Sequence, residues 1–150
     1  MHTAKLLSRF SVVLLVSVAM ILSGCGDGRR ARVKVSGHVT VDGKLLKHGG
    51  ISFRPTTGGR MGGGGLGDEG QYSTTMYKEN DGLPPGSYTV AVNAVQYIND
   101  RAQRWHAPKS YSDHKKSGLT VEITEETTDL DFDLSWEIDE DHSKPWVEKF

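Results

Sequence analysis

Val33-Lys34-Val35-Ser36-Gly37-His38-Val39-Thr40-Val41-Asp42-Gly43 is the stretch that decides the fold. Val33, Val35, Val39 and Val41 fall on one side of a period-2 alternation, with Lys34, Ser36, His38 and Thr40 on the other. Successive side chains of a strand point to opposite faces, so this reads as a strand with one buried face and one wet face. Asp42-Gly43 closes it with a dipeptide that tight hairpin turns prefer. The pattern recurs downstream. Ile51 and Phe53 predict a second strand, ended by Pro55. Residues 72–77 predict a third, after the turn Asp68-Glu69-Gly70. A fourth follows Pro84-Pro85-Gly86, with Tyr88, Val90, Val92 and Ala94 inward and Thr89, Ala91 and Asn93 outward. Leu119, Val121 and Ile123 mark a fifth. Leu130, Phe132, Leu134 and Trp136 mark a sixth, alternating with Asp131, Asp133 and Ser135. No stretch downstream of residue 25 carries a helical stripe. Short alternating runs separated by turn signals predict an all-β chain folded as an antiparallel β-sandwich.

Three of these stretches carry a family resemblance. The segment from Val35-Ser36-Gly37 to Asp42-Gly43-Lys44 resembles the opening of carboxypeptidase regulatory-like domains. Gly67-Asp68-Glu69-Gly70-Gln71-Tyr72-Ser73 and Leu83-Pro84-Pro85-Gly86-Ser87-Tyr88-Thr89-Val90 are similar to later turns and strands of that family. The resemblance spans 33–136 and implies a transthyretin-like, Ig-like sandwich of about seven strands. It brings no peptidase activity with it, because no H-x-x-E pair occurs in the chain. Tyr88 is expected to be structural, burying its ring while its hydroxyl reaches backbone at the corner.

Outward from the sandwich, the N-terminus reads as an export signal. Lys5 and Arg9 precede an apolar run over 10–22 that only Ser11 and Ser17 interrupt. That run is too short for the ~20 residues of a spanning helix and has the layout of a secretory signal. It ends in Leu22-Ser23-Gly24-Cys25, which resembles the lipobox of bacterial lipoproteins. The resemblance implies cleavage before Cys25 and acylation of its thiol. Cys25 is the only cysteine, so no internal disulfide competes for it. The expected organisation is a signal peptide over 1–24, a tether over 25–32, the sandwich over 33–136 and an acidic tail over 137–150.

A formal charge of −1 over 150 residues gives no basis for nucleic-acid binding. The charge is uneven, however. Arg29, Arg30, Arg32 and Lys34 follow the anchor, whereas beyond Glu122 only Lys144 and Lys149 are positive.

Most chemical motifs dissolve on inspection. Gly62, Gly64 and Gly67 spell G-x-G-x-x-G, but a turn and a strand follow where a dinucleotide site needs a helix. The glycine-rich 58–67 segment is therefore expected to be a mobile loop. Six histidines include no H-x-H or H-x₃-H pair. His106, His114 and Asp113 share one segment without a spacing that makes them converge. Asp129, Asp131 and Asp133 project from one strand face, which is expected to be a solvated edge. No G-x-S-x-G motif or Ser/His/acid grouping is apparent. No catalytic residue, metal or cofactor is expected.

Specificity is expected in the 98–118 segment, which is long for a sandwich connection. Its candidate partner-binding residues are Trp105 and Tyr111 with Arg101, Arg104 and Lys109. Aromatic and basic residues together suit a glycan or a protein partner, unless the aromatics cap an open end of the sandwich. The acidic 137–141 stretch is expected to fold back against this positive segment. The resulting expectation is an exported, membrane-anchored, non-catalytic envelope protein that binds a protein or glycan. The alternatives are a self-associating structural protein and, more remotely, an enzyme.

Overall fold

The computed structural model describes residues 30–150, so the expected signal peptide, Cys25 and most of the expected tether lie outside the described residues. Ala31–Phe150 is one compact unit. The chain is all-β and sandwich-like. It contains β1 (Ser36–Val41), β2 (Lys44–Leu45), β3 (Gly50–Pro55), β4 (Gly62–Gly65), β5 (Gln71–Ser73) and β6 (Gly86–Asn93). Then come β7 (Val95–Asn99), β8 (Ala102–Trp105), β9 (Leu119–Ile123), β10 (Phe132–Leu134) and β11 (Trp146–Lys149). Short 3-10 turns over Lys109–Ser112 and Trp136–Ile138 are the helical pieces. Among the described residues, no helix is long and apolar enough to cross a membrane. The strand count exceeds the expected seven because β2, β4, β7 and β8 are silent in the hydrophobic pattern and the expected tail supplies β11.

One layer is built on β1. β10 lies along one side of it in parallel, matching Val39 with Phe132 and Val41 with Leu134. β2 and β5 share the other side, both antiparallel. The parallel pairing departs from the expected all-antiparallel sandwich. Asp131 and Asp133 help to hold it on the outer face. Asp131 Oδ1 accepts the His38 backbone N–H at 2.7 Å, and Thr40 Oγ1 donates to Asp133 Oδ1 at 2.6 Å. These carboxylates therefore lock two strands together as well as facing water. Thr40 first, then the Gly43 N–H, holds the Asp133 carboxyl below its usual range.

The second layer runs β4-β3-β6-β9, antiparallel throughout. Phe53, fully buried on β3, joins the layers. Its ring lies 6.0 Å from Tyr72 and 6.2 Å from Phe132, both on the facing layer. Val39, Val90, Val92 and Leu134 fill the space around it. Tyr88 behaves as its corner position predicts. It is 2% exposed, and its hydroxyl donates to the Pro84 carbonyl at 2.5 Å. Ala91 departs from expectation, since it is buried although it points outward. The 113–118 segment covers it there: Ser117 Oγ donates to Val90 O at 2.6 Å, and His114 faces Ser52 and Thr89.

β4 corrects the reading of 58–67 as a mobile loop, because four consecutive glycines form a strand there. A Cβ on Gly63 would lie 2.2 Å from the Ile51 carbonyl oxygen, and one on Gly64 would lie 2.2 Å from that of Ser73. The strand threads between two backbones at a distance that only glycine permits.

The chain leaves β6 through buried Ala94 into a third sheet, ordered β11-β8-β7. This sheet replaces the expected long loop and extends β-structure into the expected tail. The acidic 137–141 stretch is not what meets the basic segment. Glu148 on β11 does so instead.

Candidate functional site

The residues singled out in 98–118 separate into two groups. Trp105 and Tyr111 are 5% and 6% exposed, whereas Arg101, Arg104 and Lys109 point to solvent. Trp105 Nε1 donates to Glu148 Oε2 at 2.9 Å, and Lys109 Nζ lies over the Trp105 ring, 5.4 Å from its centroid. The Tyr111 hydroxyl accepts the Ser135 N–H at 3.2 Å. Both aromatics are thus used within the molecule, and only the cations face outward. The tip of the β7–β8 hairpin exposes apolar side chains that the sequence pattern does not single out. Tyr97 is 78% exposed, and Phe150, beside it in the same shallow hollow, is 72% exposed.

Glu148 is the clasp of the third sheet. It accepts from Lys109 Nζ at 2.7 Å and Gln103 Nε2 at 2.7 Å, besides Trp105. Lys109 first, then Trp105 and Gln103, holds its carboxyl down to about 2, from an ordinary 4.5. Because the folded value lies below the unfolded one, the clasp stabilises β11 fully above about pH 4.5. That contribution is lost as the pH falls from there toward 2. Hydrogen exchange at Trp146–Lys149 should accelerate across that window, beyond the intrinsic pH effect on exchange. In Glu148→Gln the extra acid sensitivity should disappear. An unchanged acid response in the variant would show that the clasp is energetically silent.

The histidines gather differently from their order in the chain. His114 Nε2 faces Ser52 Oγ at 3.1 Å and its Nδ1 faces the Thr89 carbonyl at 3.0 Å. His106, eight positions earlier, joins His48 instead, with ring centroids 4.5 Å apart. The Ser52–His114 pair ties the 113–118 segment down onto β3 and β6, and neither residue lines the cleft that the other two histidines share. Among the described residues, no group of three or more His, Cys, Asp or Glu is placed to hold a metal ion.

His48 and His106 form one wall of a cleft of about 360 Å³. That falls within the roughly 300–1,000 Å³ that small-molecule pockets span. The turn between β1 and β2 brings Asp42 to it, β2 brings Lys44 and Leu45, and the connection to β3 brings Leu46 and Lys47. Asp42 sits at φ 49° and Gly43 at φ 71°, the left-handed pair that such a two-residue turn requires. Trp136 forms part of the floor from its 3-10 turn, which Ser135 caps by accepting the Glu137 N–H at 3.2 Å. Ser143, Lys144 and Pro145 close the far side, ahead of β11. There His142 stacks on Trp146 at 4.0 Å between ring centroids.

His106 is fixed from two directions. Its backbone N–H donates to Ala94 O at 2.8 Å, and its Nε2 faces Gln96 Oε1 at 3.1 Å. Burial first, then the neighbouring His48 and Arg104, pushes its pKa down. Lys44, Lys47 and Lys144 make no ion pair within 4 Å among the described residues. Three uncompensated cations, a partly buried imidazole pair and an indole floor thus converge on one hollow.

Sequence reasoning did not find this site. Lys44-Leu45-Leu46-Lys47-His48 is a local basic cluster that could have been noticed. Its partner His106 carries no signal pointing back to it. Comparison with known proteins adds no relative, since no family model, curated protein or solved structure matches the chain.

Proposed function

We propose that this chain is an exported, lipid-anchored, non-catalytic module of the cell envelope that binds its ligand in the cleft between His48 and Trp136. The observation that carries the anchor is Leu22-Ser23-Gly24-Cys25 directly behind the apolar run over 10–22. A single acyl chain holds a protein at a bilayer only marginally, at ~0.8 kcal/mol per buried CH₂, whereas two or more give stable attachment. A diacylated thiol would meet that need. Arg29 and Arg30 would then lie nearest the headgroups, whereas Arg32 is held within the domain by Asp81 at 3.1 Å. The cleft supports binding, since its lining joins apolar side chains to three lysines that make no ion pair within 4 Å among the described residues. The buried Tyr88 corner and the two packed layers favour kinship with carboxypeptidase regulatory-like domains.

The anchor is tested by feeding cells an alkyne fatty acid. The wild-type protein should take up the label and partition with membranes, and Cys25→Ser should do neither. An unlabelled wild-type protein would contradict the reading.

A further inference from the structure

We propose that the ligand of this cleft is an acidic sugar: a cyclic, hydroxyl-bearing monoanion whose carboxylate meets the lysines and whose ring covers the apolar lining. The inference rests on the binding-module reading above and names its ligand class.

Charge comes first. Lys44 and Lys47 approach from one side and Lys144 from the other, while Asp42 is the carboxylate in the lining. The balance favours an anion and disfavours a neutral ligand. The depth of the cleft gives the second constraint. Leu46 and Trp136 are 4% and 7% exposed, so the floor is a packed, apolar surface that cannot rearrange freely. A bare inorganic anion would leave Leu45, which is 49% exposed in the lining above that floor, uncovered, whereas the carbon-bound hydrogens of a sugar ring would cover it. Asp42 supplies the third. A carboxylate repels a polyphosphate placed among the lysines, but it accepts hydrogen bonds from hydroxyls. Cations for one carboxylate, an acceptor for hydroxyls and an apolar lining for a ring describe one ligand chemistry.

The imidazoles add a pH dependence. Those facing each other are His48 and His106, with Arg104 and the three lysines as the surrounding cations and Asp42 as the nearby carboxylate. Burial first, then His48 and Arg104, disfavour protonation of His106, and a bound carboxylate beside the ring offsets the part due to charge, so proton and ligand binding reinforce each other. Affinity should rise as the pH falls, and His106→Gln should flatten the rise.

The test is titration calorimetry on the detergent-solubilised full chain with three probes: galacturonate, galactose and inorganic phosphate. Galacturonate should bind more tightly than either of the others. In the double variant Lys47→Gln, Lys144→Gln its affinity should fall at least about tenfold, the scale of one lost charge-assisted contact. Both lysines are exposed, so these changes leave the core untouched. Galactose or phosphate binding as tightly as galacturonate would overturn the assignment, as would an unchanged affinity in the variant. Tighter binding of galactose or phosphate overturns only the ligand class, whereas no heat with any of the three probes overturns the cleft as a binding site. Loss of the label overturns the anchor.

Discussion

Val39→Asp is expected to abolish cooperative folding. Val39 is fully buried where β1 meets β10, in register with Phe132. A carboxylate there would have no cation and no donor to replace the water it loses. Changes of this kind cost more than about 4 kcal/mol, against a total stability of roughly 5–15 kcal/mol for a domain of this size. Urea denaturation followed by tryptophan fluorescence should show no sigmoidal transition in the variant. Lys34→Asp, five positions earlier on the exposed side, should stay within about 0.5 kcal/mol of wild type. Equal effects at the two positions would mean that the alternation through β1 does not define its faces.

The second large effect is expected from Trp105→Ala with Tyr111→Ala. Both rings are buried, and each is anchored by a hydrogen bond, Trp105 to Glu148 and Tyr111 to the Ser135 N–H. Truncating a buried aromatic typically costs about 3–5 kcal/mol. The pair should therefore shift the denaturation midpoint steeply. Part of the loss should come from release of β11, which Trp105 and Glu148 hold to β8. Had these rings been displayed for a partner, the double variant would keep its midpoint and lose only binding. A preserved midpoint would contradict the packing described above.

The difference between legible and illegible parts of this chain is physical. β1, β3, β6, β9 and β10 announce themselves because each has one face against the core, so burial writes an alternation into the sequence. Tyr88 was legible because a Pro-Gly corner and a tyrosine two residues later form a local device with a local hydrogen bond. β4 was not. Glycine has no side chain to alternate, and Gly63 and Gly64 are selected by the closeness of two neighbouring backbones that the sequence does not reveal. β11 was missed for another reason. Trp146 and Glu148 face inward only because β8 lies beside them, and half-buried edge strands alternate weakly. The basic surface of the 98–118 segment was visible. The role of its aromatics was not, since composition alone cannot distinguish a ring offered to a partner from one clasped by Glu148. The cleft was the least legible feature. His48 and His106 lie on separate connections, and they meet only once β8 has folded back behind Ala94.

The most direct measurement of the central claim is a histidine side-chain ¹⁵N–¹H spectrum of the full chain titrated with galacturonate. His48 and His106 line the cleft, whereas His38 pairs with Asp131 on the outer face of β1 and His114 sits between Ser52 and Thr89. The account predicts saturable shifts of the His48 and His106 imidazole resonances, with those of His38 and His114 unmoved. Resonances of His48 and His106 that stay fixed at saturating galacturonate, or that drift together with those of His38 and His114, would contradict it.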